Sequence, residues 1–176
     1  MSRMSTSMSR MSTTGKIKIG GIMQTSRLVE IVVTCTSDYA CTAAGLMKVL
    51  GGKGINVQFI VQCVDIQGND HVAFCVSEDQ LPLTRDILER MWEEAGAGEV
   101  NQRPSVAQRE NVALISIFGP DFRERPGIAG TMFTALDERG IHILAISTSI
   151  STLSCVISAD RLGDAATALC ETFELP

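Results

Sequence analysis

Two stretches of the chain repeat each other without a gap. Gly54-Ile55-Asn56-Val57 matches Gly140-Ile141-His142-Ile143 at an offset of 86 residues, and the same offset carries Ala40-Cys41-Thr42-Ala43 onto Pro126-Gly127-Ile128-Ala129 and Leu50 onto Leu136. Such self-similarity means one supersecondary unit used twice. The second copy is the easier to read. It opens with Ile115 and Ile117, the alternation of a half-buried strand. A loop with Arg125-Pro126-Gly127 follows, then a helical pattern with Ile128, Met132, Phe133 and Leu136 on one face. Gly140 closes that helix, because glycine takes positive φ at little cost. IHILAIS and LSCVIS then read as two strands joined by a short polar turn. Strand, loop, helix and two strands are the first two-thirds of a βαββαβ unit. The loop before the helix is where such a unit holds a small ligand: proline fixes the entry, glycine lets backbone come close, and the helix N-terminus offers unpaired N–H groups.

The first copy follows the same order. Leu28 to Thr36 predicts a strand rich in β-branched residues, and Thr42 to Leu50 a helix with Leu46, Met47 and Leu50 on one face, stopping at Gly51-Gly52. Asn56 to Cys63 and His71 to Ser77 are strands across the turn-rich Gln67–Asp70, and Leu83 to Glu94 is an amphipathic helix. Glu99 to Pro104 reads as a weak strand, and Gln108 to Asn111 leads into the second unit. The second copy is one strand short, since only Glu174-Leu175-Pro176 follow its last helix (Asp164 to Phe173), whereas Ile17 to Met23 is one strand too many. The two answer each other if the first unit is inserted into the second. The expectation is an α+β chain of two ferredoxin-like βαββαβ units: a flexible tail over 1–15, the first unit over 27–105, and the second over 16–26 plus 106–176.

Composition narrows the function. The formal net charge of −5, without a basic run, excludes the footprint of a nucleic-acid binder. No apolar run approaches the ~18 residues of a transmembrane helix. The Ser/Thr/Met-rich N-terminus lacks the apolar segment of a secretory signal and reads as a flexible tail or an extension, with a transit peptide as the alternative. Six cysteines without a CxxC pair and two histidines indicate a reduced, cytoplasmic protein with no metal site and no cofactor. Gly51-Gly52-Lys53-Gly54 looks like a phosphate loop but lies at a helix end before a strand, the reverse of the required order. Cys41 is near a helix N-terminus without a histidine beside it in sequence, and His71 and His142 lie in strand patterns with core residues. No Ser/His/Asp set, carboxylate pair or nucleotide fingerprint marks a catalytic residue.

At these residues the chain resembles the regulatory region of aspartate kinases, a tandem pair of ACT domains. The resemblance covers nearly everything after the first 20 or so residues. In the second unit it rests on Gly119, Arg125-Pro126-Gly127, Met132-Phe133, Ala135-Leu136, Gly140-Ile141-His142-Ile143, Ile146-Ser147-Thr148-Ser149-Ile150, Ser154-Cys155-Val156-Ile157 and Glu171-Thr172-Phe173-Glu174-Leu175. In the first it rests on Gly54 to Gln62, similar to the family's GINVDMIVQ, and on Asp38-Tyr39-Ala40-Cys41-Thr42-Ala43, similar to Asp-x-Pro-Gly-x-Ala.

The resemblance implies the first ACT domain inserted within the second, a homodimer joined through the ACT sheets, and an amino-acid effector (threonine or lysine class) bound at the interface. The catalytic kinase subunit or domain is then expected on a separate or truncated polypeptide. Carried onto this sequence, the effector-binding residues are Asp38, Cys41, Thr42, Ala43, Ile55, Asn56 and Gln62 in the first unit. In the second they are Arg123, Arg125, Gly127, Ile128, Ser149 and Ile150. Two departures matter. Ala40-Cys41 stands where the family has Pro-Gly, and Ile150 stands where it has a glutamate able to pair with a ligand ammonium, which weakens the expectation of lysine sensing. The first unit therefore suits a small polar amino acid such as threonine. The alternatives are an ACT interaction module that binds no effector and stabilises a partner enzyme, and a ferredoxin-like RNA binder, which lacks the aromatic sheet motif and the positive charge.

Overall fold

The two copies of the repeat fold alike because the same residues end their first helices. α1 (Ala43–Gly52) and α3 (Ile128–Asp137) are each followed by a glycine in the left-handed region, Gly54 at φ 77° and Gly140 at φ 63°. The Ile55 N–H donates to the Leu50 carbonyl and Gly54 N–H to Gly51, both at 3.0 Å; Ile141 N–H donates to Leu136 at 3.0 Å and Gly140 N–H to Asp137 at 2.7 Å. This is the Schellman pairing, completed in each copy by an apolar contact between the residues at its ends, all four buried. Gly51-Gly52-Lys53-Gly54 is thus a helix ending. The computed structural model describes residues 15–35, 43–94, 104–120, 122 and 126–176.

A single six-stranded sheet runs through the molecule in the order β3-β4-β2-β5-β7-β6. Its members are β2 (Gly21–Cys35), β3 (Phe59–Val64), β4 (Asp70–Ser77), β5 (Ser105–Phe118), β6 (Ala145–Thr148) and β7 (Thr152–Ser158). The long strands β2 and β5 serve both halves. Residues 28–35 of β2 pair with β4, and residues 30–34 with 105–109 of β5, while residues 21–25 pair antiparallel with 114–118 of β5. Residues 21–25 therefore take, beside β5 and β7, the place that residues 105–109 take beside β2 and β4. The predicted strands 17–23 and 28–36 are in fact one 15-residue strand preceded by the two-residue β1 (Ile17–Lys18). The polar Gln24 and Thr25 between them are drawn into the strand by pairing with Ile115 and Leu114 of β5, and Ser26 and Arg27 lie where the register shifts. Gln108 to Asn111, predicted as a lead-in, lies inside β5 for the same reason; residues 99–103 lie outside the described residues. β1 pairs in parallel with β8 (Phe173–Glu174), where the chain leaves its last helix.

The halves meet at a pair of reciprocal bulges. Between Thr25↔Leu114 and Leu28↔Val112 two residues of β2 face one of β5; between Leu28↔Val112 and Glu30↔Arg109 one residue of β2 faces two. Each bulge contains a non-glycine residue at positive φ, Arg27 at 59° and Asn111 at 55°. Such residues cost about 1–2 kcal/mol apiece, somewhat less for asparagine.

Helices cover one face of each half. α1 and α2 (Leu81–Glu94) bury Leu46, Leu50, Ile87, Leu88 and Trp92 against Val29, Ile31, Val33, Val72, Phe74 and Val76. In the other half, α3 and α4 (Leu162–Thr172) bury Met132, Leu136, Ala165 and Leu169 against Ile115, Ile117, Leu153, Cys155 and Ile157. Both α2 and α4 start from a one-turn 3-10 helix (Glu78–Gln80 and Ala159–Arg161). A third, smaller core of Leu28, Phe59, Cys75, Val112 and Val156 joins the helix-free faces. Truncating a fully buried leucine such as Leu50 or Leu136 costs about 2–5 kcal/mol.

Candidate functional site

In the second half, Gly127 caps α3 with φ 93° and no side-chain cap, and the first helical bond runs from Thr131 N–H to the Gly127 carbonyl at 2.9 Å. The N–H groups of the first turn, at Ile128 to Gly130, consequently lack intrahelical acceptors and carry the positive end of the helix dipole. Beside them lies a cleft of about 310 Å³ lined by Phe122, Gly127, Ile128, Ala129, Thr148, Ser149, Thr152 and Leu153. The structure thus brings together Gly127, Ile128 and Ser149 of the sequence-predicted set. Its floor is apolar, with Ile128 and Leu153 buried, and its polar groups are backbone N–H and hydroxyls. An arrangement of this kind takes a small ligand with a carboxylate at the helix end and an uncharged body on the floor.

Ser149 has a structural task as well. Its hydroxyl accepts from the N–H of Thr152 (3.1 Å) and Ser151 (3.4 Å) and donates to the Thr152 carbonyl (3.3 Å), which closes the β6–β7 turn. Ile150 stands at the tip of that turn, 68% exposed and outside the cleft lining. Arg123 and Arg125 lie outside the described residues. Thr148 and Thr152, not among the predicted residues, supply the free hydroxyls of the wall; alternation along β6 and β7 was the available signal.

In the first half, Asp38, Cys41 and Thr42 lie outside the described residues, and Ala43 is the first residue of α1. Gln62 sits at the same end of the half, donating from Nε2 to Asp70 Oδ1 at 3.0 Å across β3 and β4. Beside it, Asp65 Oδ2 bonds His71 Nε2 at 3.0 Å while His71 Nδ1 meets the Thr34 hydroxyl at 3.1 Å. The bonds from His71, then from Asn69, with that from the Gln67 N–H smaller, hold the Asp65 carboxyl well below the usual carboxylate range. These bonds fold the β3–β4 turn around Asp65. Ile55 and Asn56 depart from the expected site. They follow the far end of α1, about 15 Å away along a ten-residue helix. Ile55 is buried in the core with 5% exposure, because the Schellman ending needs its side chain there. Asn56 is exposed, its N–H 3.4 Å from Gln80 Oε1.

Two of the buried cysteines are poor nucleophiles. Burial pushes the Cys75 and Cys155 thiols up to about 12, helped at Cys75 by the charge of Glu30. Among the described residues no three His, Cys, Asp or Glu side chains come together to hold a metal, and no helix is long and apolar enough to cross a membrane.

Residues 115–173, the half that contains this cleft, match the ACT domain family. An aspartate kinase of Pseudomonas fluorescens is 31% identical over 157 residues, spanning 89% of this chain and 37% of that protein. The chain thus spans little more than a third of the length of the curated relatives it matches. The ligand-free regulatory subunit of aspartate kinase from Thermus thermophilus superposes with a TM-score of 0.76 at 26% identity, covering 89% of this chain and 99% of that one. A structure of aspartokinase alpha and beta subunits shares the fold, with a TM-score of 0.73 at 24% identity over 88% of this chain and 97% of that chain. The second half of the chain matches the ACT domain family, and the chain as a whole is similar in sequence and fold to the regulatory subunit of aspartate kinase.

Proposed function

We propose that the chain is the amino-acid-sensing regulatory part of an aspartate kinase, acting on a catalytic kinase subunit or domain and so on the aspartate-family amino-acid pathway. The reading takes the two halves as ACT domains, the first inserted in the second, and the effector as a free amino acid of the threonine or lysine class. The observation that carries it is the cleft at the start of α3, where unpaired N–H groups face an apolar floor and two threonine hydroxyls. No charged side chain lines the cleft among the described residues, so its chemistry favours a small neutral amino acid over lysine. The proposed assembly is a homodimer joined through the sheets, for which the exposed Ile60, Ile146 and Ile150 offer apolar surface. Control of a partner then follows if the effector binds two conformations with different affinity, commonly by ~1–3 kcal/mol.

A second reading, a module that stabilises a partner without sensing, draws on the committed hydroxyl of Ser149 and the exposed Ile150. A melting screen of the purified chain against the twenty amino acids separates the two. An effector at a hundred times its Kd raises stability by ~2.7 kcal/mol, or about 5–10 °C for a chain of this size. A response to none of them refutes sensing and leaves the second reading.

A further inference from the structure

We propose that Arg27 and Asn111 are the paired pivots of a hinge about which the two halves of the molecule turn. This stands apart from effector sensing, since it concerns the fold with or without a ligand. The sheet is continuous between the halves only through β2 and β5. Both strands carry one extra residue at that crossing, and the two extras cancel: Thr25 faces Leu114 before the bulges and Glu30 faces Arg109 after them in the same register. Bulges that leave the register unchanged do not realign the strands; they bend them.

The bent residues are also strained. Arg27 and Asn111 are the two non-glycine residues at positive φ among those described. Such a conformation persists where its surroundings hold it, and it clusters at parts that switch. Each pivot is held by its own half. Arg27 Nε lies 3.7 Å from Glu78 Oε2, in the 3-10 turn before α2, and Asn111 Nδ2 donates to Asp160 Oδ1 at 2.9 Å, in the 3-10 turn before α4. Both ties are exposed to solvent, so neither locks the angle firmly. At the outer strands, where β3 and β6 approach one another, a crevice of about 230 Å³ lies open between Gln58 and Ile60 on one side and Ser147 and Ser154 on the other. Rotation at the pivots widens or closes this crevice while every pairing within each half stays intact.

The test measures the angle between the halves. Spin labels on the exposed Cys63 in the first half and Cys170 in the second, with Cys41→Ser and dilution in unlabelled chain, report one distance distribution within the molecule. The double variant Arg27→Gly and Asn111→Gly keeps the left-handed conformation accessible while removing both the side-chain ties and the preference that holds it. The expected result is a broader distribution with a shifted mean and unchanged secondary structure. Glu78→Ala with Asp160→Ala, which alters only exposed side chains, should broaden it in the same direction and serves if the glycine variant does not fold. Distributions that overlay the parent chain in the variants that fold overturn the hinge and leave the halves fused through their shared core.

Discussion

Gly51 and Gly54 lie three residues apart at the end of α1, and alanine should act on them in opposite directions. At neither would an added Cβ meet another atom within 4 Å, so packing drops out and only backbone preference remains. Gly51 is helical, and alanine there should gain about 1 kcal/mol of helix preference. Gly54 sits at φ 77°, where alanine costs about 1–2 kcal/mol, partly offset by about 0.4–1 kcal/mol from a less flexible unfolded chain. The net loss at Gly54 is then about 1 kcal/mol, and the two variants should differ by about 2 kcal/mol. Urea unfolding followed by circular dichroism should place their midpoints roughly 1 M apart, one on either side of the parent chain. A Gly54→Ala variant as stable as Gly51→Ala would mean that the left-handed ending is not formed in solution. The common basis of the repeat would fall with it.

Burial raises the Glu30 carboxyl above its ordinary 4.5, against a smaller opposing pull from Arg109. Between the two values the folded chain therefore holds a proton that the unfolded chain releases, so the contribution of Glu30 to stability is greatest below 4.5 and is lost as pH rises through the raised value. Glu30→Gln should flatten that fall in melts taken across the acid range; an unchanged slope would show that the carboxyl is already solvated. Ile150→Glu places a carboxylate at an exposed turn tip, and under the interface reading it should create or strengthen a lysine-dependent rise in melting temperature. Calorimetry that detects no lysine binding to this variant would put the effector away from the β6–β7 turn.

Local chemistry made much of this fold readable. The offset of 86 residues carries Leu50, Gly54 and Ile55 onto Leu136, Gly140 and Ile141, and both sets make the same hydrogen bonds because helix endings are decided within six residues. The merging of residues 17–23 and 28–36 into one strand was not readable. Gln24 to Arg27 has no strand pattern of its own, and what holds Gln24 and Thr25 in the strand is β5, some ninety residues away. The same limit applied at the site. Gly127 and Ile128 were evident from a loop that must start a helix, and they line the cleft. Thr148 and Thr152 line it because two strands bring them to the same end. Ile55 looked like a site residue through its motif, yet the helix ending that defines the motif is what buries it.

The two halves share a scaffold but not the chemistry of their corresponding ends. Past the first strand and beside the first helix, the first half presents a charged network of Asp70 with Gln62 and Asp65 with His71. The second half presents at the matching place only hydroxyls, from Thr148, Ser149 and Thr152, above an apolar floor. An amino acid has a carboxylate and an ammonium to satisfy, and a buried ion without a partner is costly. The start of α3 can receive the carboxylate but has no described carboxylate for the ammonium. Asp70 in the other half is such a group, although Gln62 already occupies one of its oxygens. Within one chain these ends belong to different halves of the sheet, so under the proposed homodimer a ligand held by both sets of groups is held between chains. Under that proposal the dimer, rather than either half alone, is the unit in which an amino acid's two charges are met.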